Sequence, residues 1–186
     1  MKKIIAALLL STAVAAPAFA ADSGFYAGVT LGRSSTGTPY SNATLTKSTD
    51  TVLGVLGGYQ FTKNWGAEAQ YTGAGKFSGN IPGGTFTGKS DALSLAAVVT
   101  LPLNDSFSLY GKLGFASVKT TLTTSPASAS TGASRTAATS GLGAQYNVTP
   151  AIGIRFGWDR YAAAVTGVGT SEYSDDVYSL GAVFKF

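Results

Sequence analysis

The chain has no cysteine and no histidine among its 186 residues. Without cysteine no disulfide framework can hold it, so an exported chain of this size must rely on a large packed or closed structure. Without histidine it lacks the side chain that most readily acts as a general base near neutral pH, and the ligands of most zinc sites. Charge is scarce as well: 13 basic and 9 acidic residues make up 12% of the chain. Two of the bases, Lys2 and Lys3, sit in an N-terminal leader, and the near-balance that remains excludes a polybasic tract for nucleic acid. Beyond the leader no apolar run approaches the ~20 residues that a membrane-spanning helix needs. If this chain enters a membrane, it enters as strands.

The leader begins Met1-Lys2-Lys3, continues through the apolar run Ile4–Leu10 and reaches Ala18-Phe19-Ala20. A basic start, an apolar centre and small residues at Ala18 and Ala20 are the parts of a secretory signal cleaved after Ala20. Ser11, Thr12 and Pro17 interrupt the apolar run and argue against an anchor helix. Position 21 is Ala, so nothing marks a lipoprotein. The mature protein is then a single domain over residues 21–186.

What is present is strand material: 24 Gly, 10 Phe and 9 Tyr, with abundant Thr and Ser. Eight alternating segments can be read, near 24–33, 51–61, 65–75, 91–101, 107–118, 136–148, 151–161 and 176–186. Thr62-Lys63-Asn64, Leu103-Asn104-Asp105-Ser106 and Thr149-Pro150 give tight turns. The other connections, 34–50, 76–90, 119–135 and 162–175, are long, polar and low in charge, and read as mobile loops. Short connections at one end and long ones at the other are the arrangement of an outer-membrane barrel. The expected fold is therefore all-β, an eight-stranded antiparallel up-and-down transmembrane barrel.

One parity of the segments is apolar: Phe25, Val29 and Leu31; Leu53 and Val55; Trp65 and Tyr71; Leu93, Leu95 and Val99; Leu113 and Phe115; Ile154, Phe156 and Trp158. The other carries Tyr26, Thr30, Glu68, Gln70, Ser94, Tyr110, Lys112, Gln145, Arg155 and Asp159, with glycines between. Aromatics gather near the ends of the apolar parity, as in the girdles at headgroup level. A soluble barrel with the apolar face inward is the rival, and alternation alone leaves open which parity is inside. The bulk of the nearly charge-free parity favours the membrane barrel. So does a last strand, with Tyr178, Leu180, Ala182, Phe184 and Phe186 toward lipid and Lys185 inside at the short-turn end, that finishes on an aromatic ring.

Gly83–Ser90 formally matches GxxxxGK[ST], but that loop needs a strand before it and a helix after it. Here an alternating strand follows, so no nucleotide site is expected. Asp175 and Asp176, adjacent on a strand, point to opposite faces and cannot act as an acid pair. Neither an enzyme nor a cofactor is indicated. Glu68, Lys112 and Arg155 share the inward parity at similar heights, with Asp159 one step nearer the long loops. Buried charges must pair to recover their desolvation. They make either a salt-bridged plug or a gate whose partners exchange, and the narrowness of eight strands favours the plug. Arg33, Lys47, Lys76, Lys89, Lys119, Arg135 and Arg160 lie in or beside the long connections. They read either as a basic rim facing lipopolysaccharide phosphates or as ordinary solvated charge.

Gly57-Gly58-Tyr59-Gln60-Phe61 with Trp65-Gly66-Ala67-Glu68, and Gln145–Arg155 (Gln-Tyr-Asn-Val-Thr-Pro-Ala-Ile-Gly-Ile-Arg), resemble the membrane domain of the outer membrane protein A family. Phe25–Gly28 and Tyr110–Gly114 fit the same pattern. The resemblance implies a lumen pair between Glu68 and Arg155, with Lys112 at a basic position of the fifth segment. The family's alternative partners are replaced by Val98 and Gln145, which favours a closed plug over an exchanging gate. It also implies that Tyr178, Leu180, Phe184 and Phe186 are read by the barrel-insertion machinery. The family's peptidoglycan-binding domain has no counterpart before the chain stops at Phe186. The expected partners are outer-membrane lipid, lipopolysaccharide and the insertion machinery, with no nucleic acid. The expected role is envelope integrity; the alternatives are a loop-mediated adhesin or immune-evasion protein that meets host or surface ligands, and a small low-conductance pore.

Overall fold

The computed structural model describes residues 23–36, 44–47, 49–81, 84–125, 129–163 and 173–186. The leader, with Ala18 and Ala20, lies outside them. The described residues form nine strands: β1 Gly24–Thr36, β2 Thr44–Lys47, β3 Thr49–Gln60, β4 Trp65–Ile81, β5 Gly84–Pro102, β6 Phe107–Ser125, β7 Ala129–Asn147, β8 Ile152–Ala163 and β9 Tyr173–Lys185. All but β2 belong to one closed, all-antiparallel, eight-stranded barrel, and no helix occurs among the described residues. β1 closes it, pairing with β3 (Val29↔Val55) and with β9 (Val29↔Ala182). The last residue takes part, because the Phe186 N–H donates to the Phe25 carbonyl at 2.9 Å. Closure removes the unpaired edge that an open sheet would offer other chains.

The three tight turns form as read. Phe61 N–H donates to Trp65 O at 2.8 Å, Leu103 N–H to Phe107 O at 2.9 Å, and Val148 N–H to Ile152 O at 2.9 Å. Asn104 Oδ1 caps its turn by accepting from Ser106 and Phe107 N–H.

Two of the expected mobile loops are instead strand. The segments 76–90 and 119–135 continue the ladders of β4–β5 and β6–β7 as far as Ile81↔Gly84 and Thr124↔Ala129. Polar Thr and Ser residues suit a strand with water outside as well as they suit a loop, and Thr is β-branched and strand-favouring. In the region 34–50, expected to be loop throughout, β1 runs on to Thr36, β2 lies within it, and β2 pairs with the outer part of β4. The barrel is thus lopsided. β4 has 17 residues and β5, β6 and β7 have 19 each, against 12 or 13 for β1, β3, β8 and β9. The extra length is about 20 Å of strand at 3.4 Å per residue.

Side-chain direction decides between the two barrels that alternation allowed. Leu113, Phe115, Phe25 and Leu95 are 71%, 69%, 67% and 66% exposed, and the apolar parity faces outward around the wall. A soluble barrel would bury that parity. Here the buried side chains include Thr30, Glu68, Gln70, Ser94, Lys112, Gln145, Arg155 and Asp159. On β5 the outward apolar positions run from Leu93 to Leu101, about 20 Å along the membrane normal for a strand tilted near 45°.

Above that band the pattern inverts. Val52, Ala116, Val118, Ala137, Tyr161 and Val177 pack together inside, while Lys89, Ser117, Lys119, Ser134 and Thr136 are exposed outside. A wall bathed in lipid outside and a wall bathed in water outside need opposite patterns, so the inversion marks where the apolar band ends. The formal phosphate-loop match falls in this upper wall. Its Gly84–Ser90 portion is strand β5, which continues to Pro102 with no following helix.

Candidate functional site in the lumen and at the outer rim

The ionisable groups of the lumen come from alternate strands: Glu68 from β4, Lys112 from β6, Arg155 and Asp159 from β8. Alternate strands supply one layer of a closed barrel because of its stagger. Each of Glu68, Lys112 and Arg155 has a glycine on one neighbouring strand. Glu68 is flanked by Gly58 and Ala96, Lys112 by Gly141 and Val98, and Arg155 by Gly181 and Gln145. Glycine beside a long side chain leaves the room that the chain needs to lie across the lumen.

Glu68, 2% exposed, is the hub. One carboxylate oxygen accepts from Arg155 Nη1 and from the Tyr26 hydroxyl, the latter at 3.0 Å. The other lies 3.2 Å from Lys112 Nζ. Lys112 Nζ also reaches Asp159 Oδ1 at 2.8 Å and donates to Gln70 Oε1 at 2.9 Å. Arg155 Nε donates to Gln145 Oε1 at 3.2 Å, and its guanidinium lies 4.3 Å from the Tyr110 ring centroid and 5.5 Å from that of Tyr26. Two carboxylates face two cations, and both aromatic rings offer their negative faces to Arg155. Charge-assisted bonds of this kind offset the cost of taking four ions out of water.

Below the hub, Gln145 Nε2 donates to Asn147 Oδ1 at 2.9 Å, and Lys185 Nζ donates to the same oxygen at 3.1 Å. Above it lies the apolar layer of Val52, Val118 and Val177, with the Tyr161 hydroxyl 3.4 Å from Thr72 Oγ1. The Tyr110 ring lies over Gly143 and its hydroxyl donates to Phe156 O at 3.3 Å. A Cβ at Gly143 would meet both the Phe156 carbonyl oxygen and that ring. Gly143→Ala is therefore expected to push Tyr110 off Arg155 and to lower stability by about 1–3 kcal/mol, the usual cost of overpacking. A urea titration of the refolded barrel measures it, and an unchanged midpoint would mean that the ring and the β8 backbone both give way at little cost.

The rim residues separate into groups. Arg33, Lys76, Lys89, Lys119 and Arg160 are exposed, on strands rather than in loops, at or above the upper end of the apolar band. Arg160 Nε forms a salt bridge with Asp176 Oδ1 at 3.0 Å, and that oxygen also accepts from Trp158 Nε1 at 3.1 Å. Arg33 stands opposite Thr51 and Tyr178. Lys47 lies in β2 and Arg135 in β7 opposite Val118, but their side chains lie outside the description. On the closing strand Tyr178, Leu180 and Phe184 are exposed outward, Phe186 is half-buried, and Lys185 turns inward at the short-turn end. Among the described residues no cluster of acids could hold a metal ion.

A sequence model of the outer membrane protein beta-barrel domain matches residues 6–186, nearly the whole chain. The chain belongs to that family. No curated protein matches it closely enough to add a role. Solved structures share the fold at low identity. OprG of Pseudomonas aeruginosa is 18% identical with a TM-score of 0.63, over 89% of this chain and 96% of that one. Neisserial surface protein A is 15% identical with a TM-score of 0.61, covering 88% and 99%. Ail, the attachment invasion locus protein of Yersinia pestis, is 19% identical with a TM-score of 0.55, covering 88% and 97%. This is an outer-membrane β-barrel of that small eight-stranded type.

Sequence reasoning named Glu68, Lys112, Gln145, Arg155 and Asp159, and the fold brings all of them into one connected network. It placed Gln70, Tyr26, Tyr110 and Lys185 on the inward parity without joining them to the cluster, and it missed Asn147, which with Lys185 makes the lower extension. The signal for the two tyrosines was available: each is an inward aromatic whose ring covers the glycine paired with it on the neighbouring strand, Gly58 for Tyr26 and Gly143 for Tyr110.

Proposed function

We propose that this outer-membrane barrel has a closed lumen and a structural role in the envelope, with Glu68, Lys112, Arg155, Asp159 and Gln145 as the plug. The observation that carries the reading is the internal charge balance: Glu68 and Asp159 are both held by cations from other strands. An apolar layer above the ions adds a second barrier, because ions do not cross a dry, valine-lined constriction readily. The role is non-catalytic and needs no cofactor. The closing strand, with Tyr178, Leu180, Phe184 and Phe186 outward, is what the insertion machinery would engage during assembly. The exposed bases of the upper wall would lie against the phosphates of lipopolysaccharide.

Planar-bilayer recording of refolded protein tests the closed lumen. The wild type is expected to pass no steady current. Arg155→Ala is expected to remain silent too, because the valine layer is untouched by that change. A stable conductance from the wild type would replace the plug with a pore. One observation favours a second role beside the first. The tall β4–β7 wall stands beyond the apolar band and would be free to contact other surfaces, as the attachment name of Ail suggests for that protein.

A further inference from the structure

The exposed cations of the upper wall are not evenly placed. Three of them, Lys76, Lys89 and Lys119, lie on the neighbouring strands β4, β5 and β6. Lys76 and Lys89 face each other directly across the β4–β5 ladder, and Lys119 stands one step diagonally from Lys89 and directly opposite Asp91. Like charges directly opposite on adjacent strands weaken a sheet. The backbone nonetheless goes out of its way to produce the arrangement. A register shift between Thr72 and Gly75 inserts one extra residue into β4 and reverses its parity, so that Lys76 points outward instead of into the lumen. The Lys76 N–H donates to Asp50 Oδ2 at 2.8 Å just past the shift. Bulges of this kind re-aim side chains.

Directly beneath the lysines the same strands carry an open, almost wholly apolar groove of about 350 Å³, lined chiefly by Ala69, Leu93, Leu95 and Phe115 with Ser117 and Thr136 at its upper edge. Ala69 is the small residue in a row otherwise made by Leu95 and Phe115, which gives the groove its depth. Directly above the lysines the wall is hydroxylated, with Thr85, Thr87, Thr123 and Ser125 exposed. Read downward, one strip of wall offers hydroxyls, then three ammonium groups, then an apolar channel. Asp91 accepts from the Tyr71 hydroxyl at 3.1 Å and leaves the strip net positive.

We propose that this strip is a binding site for one molecule of a phosphorylated glycolipid, the lipid A part of lipopolysaccharide. An acyl chain occupies the groove, a phosphate sits among Lys76, Lys89 and Lys119, and the sugars lie against the Thr-rich wall. The ligand's phosphate relieves the repulsion between the facing lysines, which accounts for their placement. Phosphate alone would not need the groove, and a neutral lipid would not need the lysines. The inference rests on the outer-leaflet position of the long hairpins proposed above and narrows the basic rim to one wall. Arg33 and Arg160, on the far side of the barrel, do not belong to it.

Native mass spectrometry of the detergent-refolded full barrel tests this, with bisphosphorylated lipid A, dephosphorylated lipid A and phosphatidylglycerol as probes. Each variant is first checked for a heat-modifiable gel shift. The wild type is expected to hold one lipid A and to prefer it over both other probes. The triple variant Lys76→Ser/Lys89→Ser/Lys119→Ser is expected to lose roughly 100-fold in affinity, in line with the attraction of three lysines to an anionic surface. Ala69→Phe, which fills the groove, is expected to weaken binding with all lysines in place. Arg33→Ser/Arg160→Ser is expected to bind like the wild type. The double variant Lys76→Ser/Lys89→Ser should unfold at the same or a higher urea concentration than the wild type, since it removes a repulsive pair and leaves Lys119 opposite Asp91. Equal affinity in the triple variant, equal losses in the arginine variant, or equal binding of phosphatidylglycerol would each overturn the site. So would a fall in the double variant's midpoint, which would make the facing lysines structural. Binding in detergent does not depend on whether the lumen conducts, so failure here is distinct from failure of the bilayer test.

Discussion

Replacing Arg155 by alanine is expected to lower the unfolding free energy of the barrel by about 3–5 kcal/mol, the usual cost of deleting one partner of a buried ion pair. Glu68 would keep Lys112 and the Tyr26 hydroxyl but lose its guanidinium, and Tyr26 and Tyr110 would lose the cation between their rings. The large figure reflects the carboxylate left under-compensated, not the net worth of the pair. For that reason the double variant Glu68→Gln/Arg155→Gln is expected to be less destabilised than Arg155→Ala, since it leaves no buried charge without an opposite. Trp65 and Trp158, both on the outer face, report the transition by fluorescence in lipid vesicles. If the double variant proves worse than the single, the cluster acts through shape and hydrogen bonding, and charge balance is not its organising feature.

The same cluster shows which links were legible in the amino-acid order. Strand parity was: Glu68, Lys112, Arg155 and Asp159 share the face opposite to Leu95, Leu113 and Phe156, and period-two alternation assigns a face without any three-dimensional information. Pairing was not. Glu68 and Arg155 are 87 positions apart, and Lys112 and Gln70 are 42 apart. Which groups meet across a bore depends on stagger, a property of the closed sheet. The resemblance to a family supplied the Glu68–Arg155 pair where spacing could not.

The upper wall was illegible for a different reason. The rule that apolar residues mark the lipid face holds only within the apolar band. Past Tyr71, Leu93 and Phe115, Val118 and Val177 turn inward while Lys89, Lys119 and Thr136 turn outward. A reader applying one rule along the whole chain sees the alternation dissolve into polar residues and concludes that a loop begins. The bulge in β4 compounds this, since one extra residue reverses the parity of everything beyond it. The long strands are continuous with the barrel; only the solvent outside them changes.

That change of solvent sets up the other large effect. Leu113 lies on the outer face of β6, midway along the apolar run that extends from Leu109 to Phe115 and on toward Ser117, and is 71% exposed. On a water-exposed surface a leucine-to-arginine change typically costs no more than about 0.5 kcal/mol. At the midplane of a bilayer the same change on a β-barrel costs about 2–4 kcal/mol, falling to about 0–1 kcal/mol near the interface. Leu113→Arg is therefore expected to lower stability in lipid vesicles by about 2–4 kcal/mol, whereas Ser117→Arg, two rows nearer the rim on the same strand face, should cost about 0–1 kcal/mol. The gradient along one strand is the diagnostic, because the introduced arginine and the strand face are the same at both sites while the depth differs. Equal costs at the two positions would mean that no bilayer surrounds Leu113. The outward apolar parity would then have to be covered by protein, and the charge cluster of the lumen would lose its reason to be closed.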